Sequence, residues 1–240
     1  MKYLMTALCV ITLIFSQTPI QAKCKKGNCK NGKGTYVWPD GRQYTGTFKK
    51  GRMSGKGTHL WPNGEKYVGD YKNHKKNGKG IYTWPNGTVY TGDYKNDEKD
   101  GRGVITFKKG DKYEGQWKTG KPQGMGSYIW SIGDKYEGEW AAGKRSGKGV
   151  YSWSNGDKYE GQWLKGIRNG KGIYIWSSSE KYEGEYRDNQ KHGFGIYTWP
   201  NGDRYEGQWE DGKRNGKGSL IRKDGKTQVG TWKDDEFVNP

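Results

Sequence analysis

Aliphatic side chains are scarce in this 240-residue chain: hydrophobic residues of every kind make up 30%, and aromatic residues supply half of that, 15%. So few aliphatics, with a formal net charge of +17, ordinarily mark a disordered polymer. Disorder is excluded here because the aromatic residues recur at a fixed spacing. Cysteine is nearly absent, with only Cys9, Cys24 and Cys29. Structural zinc wants four ligands, so no metal centre is expected, and Cys24 and Cys29 do not have redox-motif spacing. Histidine is limited to His59, His74 and His192, none beside a recognisable catalytic partner. The Asp and Glu residues recur at equivalent places, as structural residues do, whereas a catalytic pair stands alone. The Gly-Lys-Gly steps lack the remainder of a phosphate-binding loop. The sequence therefore predicts neither an enzyme nor a cofactor.

Long apolar runs are also missing, with one exception. Tyr3 to Phe15 is nearly continuous, follows the single charge of Lys2, and leads to small residues ending at Ala22. The run is short of the ~20 residues that span a bilayer. It has the layout of an export signal occupying residues 1–22, with cleavage near Ala22. Lys23 before Cys24 does not suit a lipoprotein signal. The expected location is periplasmic, cell-envelope or secreted. Export would leave Cys24 and Cys29 as a disulfide candidate near the new N-terminus.

What the chain has in abundance is glycine, 41 residues, set in a strict period. Tyr44-Thr-Gly46-Thr-Phe48 begins a 23-residue unit that returns at Tyr67, Tyr90, Tyr113, Tyr136, Tyr159, Tyr182 and Tyr205. A degraded copy follows at Gln228-Val-Gly230-Thr-Trp232. A period of this length means a stack of small modules. With the tyrosine as position 1, glycine stands at 3, 12 and 14, usually at 8 and mostly at 21. Aromatics stand at 5 and usually at 16 and 18. Positions 1, 3 and 5 alternate with polar residues, and 14, 16 and 18 with Thr, Ile, Val or Ser. That period of two predicts two strands per unit. So many glycines disfavour a helix. The Trp-Pro-Asn-Gly segments at 61–64, 84–87 and 199–202 read as the tight turns, because Asn-Gly accepts positive φ. Positions 6–13 read as the longer loop. Stacked hairpins then add about 9.6 Å per unit, and the rings share one face.

Tyr136-Glu-Gly-Glu-Trp140 with Gly147-Lys-Gly149, Tyr151 and Trp153 closely resembles the MORN (membrane occupation and recognition nexus) repeat, as does Tyr205-Glu-Gly-Gln-Trp209 with Gly216-Lys-Gly218. The resemblance covers about residues 32–232. It implies an all-β fold: an elongated, open, twisted single-layer antiparallel sheet of stacked hairpins. It also implies a scaffold, a membrane-associating module or an interaction array. The expected division is a cap and half repeat at 23–43, eight repeats at 44–227, and a half repeat and tail at 228–240. Plant phosphatidylinositol phosphate kinases carry such repeats beside a catalytic domain, for which the repeats leave no room here. Departures stand at His59, Phe107, Ser179, Leu220 and Arg222.

Positions 6–13 of the eight full units hold 24 basic and 6 acidic side chains. Read as loops, they make one edge of the sheet basic, with Lys56, Lys79, Arg102, Lys148, Lys171 and Lys217 in a row and Met125 and Phe194 interrupting it. Position 22 is acidic on the opposite edge. The leading expectation is an exported, non-enzymatic scaffold whose basic edge binds anionic phospholipid or a phosphate-bearing envelope polymer. A plainer reading makes the lysines a guard against edge-to-edge pairing. The alternatives are glycan stacking on an aromatic face that includes Tyr136, Trp140, Trp153, Tyr159, Trp163 and Trp176, or a protein-binding array. Those rings also read as the core. Export argues against nucleic acid as partner, and no oligomeric state can be read.

Overall fold

A computed structural model describes residues 21–238; the segment expected to be an export signal, residues 1–22, lies outside them except for its last two residues. The described residues form one 20-stranded antiparallel sheet and contain no helix. Strands β1 (Lys23–Gly27) and β2 (Gly32–Val37) begin it. Next comes the first full hairpin, β3 (Gln43–Lys49) and β4 (Arg52–Leu60). Each strand pairs with its sequence neighbours through to β17 (Arg204–Glu210), β18 (Lys213–Ile221), β19 (Thr227–Lys233) and the two-residue β20 (Glu236–Phe237). The terminal strands β1 and β20 each pair on one side only, so the sheet is open. Cys24 and Cys29 are joined by a disulfide that closes the β1–β2 turn.

The two connections differ from the sequence expectation. Positions 7 and 8 form the tight turn, and position 9 already opens the second strand. Both turn residues take positive φ, as at Asn96 (51°) and Asp97 (75°) or Ala142 (50°) and Gly143 (83°). This mirror-type turn matches the twist of the flanking strands. Trp-Pro-Asn-Gly belongs to the longer connection instead. There the Gly64 N–H donates to the Trp61 carbonyl (3.0 Å) and the Trp61 N–H to Glu65 (3.0 Å). Proline fits the second place of such a turn, and only its glycine has positive φ (87° at Gly64).

The sheet has a packed front and an open back. Every position-1 tyrosine from Tyr44 to Tyr205 is at most 1% exposed. Each ring lies over a cross-strand pair of glycines from positions 3 and 14, such as Gly161 and Gly172. Its hydroxyl donates to the backbone carbonyl of position 4, as Tyr159 to Gln162 (3.1 Å). The position-5 ring then stands edge-on between two tyrosines, Trp163 against Tyr159 at 5.2 Å and Tyr136 at 5.4 Å. Such edge-to-face pairs add to burial. A second sheet is unnecessary because the rings lie on their own backbone.

Candidate functional site

The basic row does not run along an edge. Position 13 lies within the second strand, opposite position 4 of the next unit: Lys56 faces Asp70, Lys79 faces Asp93, Arg102 faces Gln116, Lys148 faces Gln162, Lys171 faces Glu185 and Lys217 faces Thr231. Alternation puts positions 13, 15 and 17 on the back of the sheet, because 14, 16 and 18 point forward. All six side chains are exposed there. A bulge fixes this placement. Positions 11 to 13 oppose only position 4 of their own unit, and the glycine at 12 takes positive φ (106° at Gly78, 112° at Gly101). The position-4 side chain closes the bulge by accepting from the backbone N–H of position 13. Asp70 does so from Lys79 (3.2 Å), Asp93 from Arg102 (3.0 Å) and Glu139 from Lys148 (2.8 Å). The carboxylates beside the basic row are thus partly committed to the backbone.

The back face differs between its two halves. Across the first half it forms a trough of about 1290 Å³. Lys26, Lys33, Lys56, Lys79 and Arg102 line it, with a floor of paired glycines and walls that include Thr45, Val68, Ile81 and Val104. Position 2 is neutral in the first three full units (Thr45, Val68, Thr91) and glutamate in the next five. Each of those glutamates pairs with the basic residue two places before it, as Lys135 with Glu137 (2.9 Å) and Lys181 with Glu183 (2.7 Å). Lys148, Lys171 and Lys217 therefore share their face with a carboxylate row and do not line the trough. The six expected cations separate into a trough group of three and an outlying group of three.

On the front, Tyr136 and Tyr159 are fully buried, and Trp140 (8% exposed) and Trp163 (5%) nearly so. Tyr136, Tyr159 and Trp163 also lie under the Arg145 or Arg168 guanidinium and have no ring face free to stack on a sugar. Trp153 and Trp176 are half-buried against Tyr151 and Tyr174, both at 4.4 Å. The acidic position 22 is engaged as well. Asp134 accepts from the Tyr151 hydroxyl (2.7 Å) and the Ser154 N–H (2.9 Å), tying one loop to the next. Those bonds hold its carboxyl below the ordinary range although burial works the other way.

A second basic row escaped the sequence reading. Position 10 faces front, and its cations stand over the rings. The Arg145 guanidinium lies 4.4 Å from the centroid of Trp163 and 5.1 Å from that of Tyr151. Burial pulls the Lys191 ammonium down to about 8, against the attraction of Trp209 at 3.9 Å. The signal that could have revealed this row is parity: once the turn is at 7 and 8, position 10 falls on the same side as position 5. His59 is the other outlier. It replaces tyrosine at position 16 and lies flat between Trp38 (5.2 Å) and Trp61 (4.0 Å). Burial, with Arg42 and Lys76 nearby, lowers it to about 4.

Comparison with known families matches the MORN repeat at residues 26–41 and then in eight consecutive 23-residue segments from 44–66 to 205–227. The chain belongs to the MORN repeat family. Comparison with curated proteins finds no match. Among solved structures, the TCP domain of Drosophila melanogaster SAS-4, in complex with a proline-rich motif of Ana2, is similar at 13% identity. That match covers 78% of this chain and 99% of the other, with a TM-score of 0.43. The G-box domain of the microcephaly protein CPAP matches at 11% identity over 89% of this chain and 100% of the other, with a TM-score of 0.40. This MORN-repeat chain is accordingly a repeat-based binding or scaffold module.

Proposed function

We propose that this MORN-repeat protein is an exported, non-enzymatic scaffold that holds an extended anionic polymer along the first half of its back face. One observation carries the reading: Lys26, Lys33, Lys56, Lys79 and Arg102 line a single trough against only two carboxylates, Asp70, which accepts from the Lys79 N–H, and Glu114, although Lys79 also pairs with Asp93 at 3.2 Å. Cations repeated about every 9.6 Å are close to one Debye length apart, so a polyanion meets them as a set. Their alignment along one trough favours a single phosphate-bearing chain over a flat phospholipid surface. The apolar segment Tyr3 to Phe15 supports export. Partly exposed Val68 (40%), Ile81 (44%) and Met125 (59%) on the same face favour, as a second reading, an acidic peptide with apolar side chains.

The test is binding of the mature chain to polyphosphate and to anionic and neutral vesicles at rising salt. Polyphosphate binding is expected to weaken steadily with salt. Replacing Lys56, Lys79 and Arg102 together by alanine should weaken it by about a hundredfold, at roughly 1 kcal/mol per cation, and much more than the same change at Lys148, Lys171 and Lys217. Equal losses in the two triple variants would remove the trough from the argument. Strong binding to anionic vesicles without polyphosphate binding would restore a membrane surface as the partner.

A further inference from the structure

The front-face cations mark a place where one is missing. In six units the position-10 side chain puts its charge among three rings. Usually these are the unit's own tyrosines at 1 and 16 and the position-5 ring of the next unit. Lys76 stands over Tyr67, Tyr82 and Tyr94 at 5.7, 4.9 and 5.3 Å. Arg168 stands over Tyr159, Tyr174 and Tyr186 at 5.6, 5.3 and 5.2 Å. Lys99, Arg145, Lys191 and Arg214 do the same in their units. Near the ends the slot is filled by other long side chains: Met53 (6% exposed) in the first unit and Phe237, against Trp232 at 5.4 Å, in the last.

The fourth unit has Pro122 at this position. Its backbone is placed as in the other units. Pro122 lies opposite Trp117 as Lys99 lies opposite Tyr94, and its carbonyl accepts from the Gly143 N–H at 2.9 Å. All three rings are present. Tyr113 and Trp140 meet edge-on at 5.2 Å, and Tyr128 lies 6.3 Å from Trp140. The proline ring closes back on its own nitrogen, so it carries no charge and ends several atoms short of where a lysine Nζ would sit. Among the described residues no Lys or Arg stands over Tyr113, Tyr128 or Trp140. Trp140, at 8%, is also the most exposed of the position-5 rings. At the rim, Asp111 accepts from the Tyr128 hydroxyl (3.1 Å) and the Ser131 N–H (2.8 Å), and these bonds keep its carboxylate ionised.

We propose that Tyr113, Tyr128 and Trp140 form a ligand site for an alkylammonium cation of the quaternary, trimethylammonium type. The ring faces attract a positive charge. A quaternary ammonium needs no hydrogen-bond acceptors and loses little hydration on entering an aromatic cage. Asp111 supplies a counter-charge at the rim. The site is on the opposite face from the trough and does not depend on the polyanion reading.

Tryptophan fluorescence of the whole protein, titrated with tetramethylammonium chloride at ionic strength held constant with sodium chloride, tests this. A saturable change is expected, with one site per chain by calorimetry. Pro122→Lys fills the cage from within and should weaken binding at least about tenfold. Arg145→Ala opens an equivalent cage of Tyr136, Tyr151 and Trp163, with Asp134 bonded to the Tyr151 hydroxyl, and should raise the number of sites to two. Asp111→Asn should weaken binding without altering the rings, and serves if Pro122→Lys does not fold by circular dichroism. Free choline and phosphatidylcholine vesicles separate the sources. Binding of choline alone points to a soluble ammonium compound, and binding of both points to a lipid headgroup. A wild-type titration no different from sodium chloride, or undiminished binding by folded Pro122→Lys, overturns the site.

Discussion

Gly161 shows how little freedom a single residue has in this sheet. A Cβ there would stand 2.5 Å from the Tyr159 hydroxyl oxygen and 2.6 Å from the Cα of Gly172. The ring cannot withdraw without losing its bond to Gln162 and its edge-on contact with Trp163. Gly161→Ala should therefore lower stability by about 3 kcal/mol. Gly166 has nothing within 4 Å, so alanine there meets only the strain of its positive φ (97°), on the order of 1 kcal/mol. Thermal melting followed by circular dichroism should rank the two in that order. Similar melting temperatures would mean that the ring-on-glycine contact is not what holds the strands. His59 gives a pH signature. Its folded value of about 4 lies below the ordinary 6.5, chiefly through burial. The unfolded chain thus takes up this proton first as pH falls, so the contribution is complete above 6.5 and is lost progressively toward 4. Melting at pH 7 and pH 4.5 should differ by on the order of 2 kcal/mol from this group, and His59→Leu should remove that part of the difference.

At the scale of the hairpin, the strands were readable and the turns were assigned the wrong way round. Asn-Gly is a strong hairpin signal, and it drew the tight turn to Asn63-Gly64. The real two-residue turns include Lys50-Gly51, Thr119-Gly120 and Ala142-Gly143, whose first residues carry no turn signature. They are held at positive φ because the register on both sides is set by glycine pairs and rings, leaving only two residues to reverse the chain. The second turn residue also donates to the preceding unit, as Gly143 to Pro122 and Gly166 to Arg145. Local preference lost to register at Lys50, Thr119 and Ala142, whereas Asn96-Asp97, Asp188-Asn189 and Asp211-Gly212 put residues tolerant of positive φ in the same places. Ala142→Asn places a residue tolerant of φ 50° where alanine is strained, and should stabilise the protein by roughly 0.5–1 kcal/mol. A lower melting temperature would show that the alanine side chain makes contacts that outweigh the strain.

For the whole molecule, contacts between units are local and repeated, so the sheet should tolerate a change of length only in whole periods. Removing residues 159–181 joins Lys158 to Tyr182 and keeps every glycine pair and ring contact in phase. That deletion should fold cooperatively with a slightly lower melting temperature. Removing three residues fewer should not, because a broken period takes the rings out of register. Loss of folding in both would contradict a stack of equivalent units. The period, the strands, the ringed face and the family follow from sequence alone, because each recurs at a constant phase and any one unit reports on all the others. Position 13 was read correctly as a basic row but placed on the wrong side, since edge or face depends on where the turn begins. The trough, its restriction to the first half and the three rings beside Pro122 that no cation covers emerge only in three dimensions. Each depends on which side chains from neighbouring units share a space, and a linear repeat does not state that until register and face are fixed.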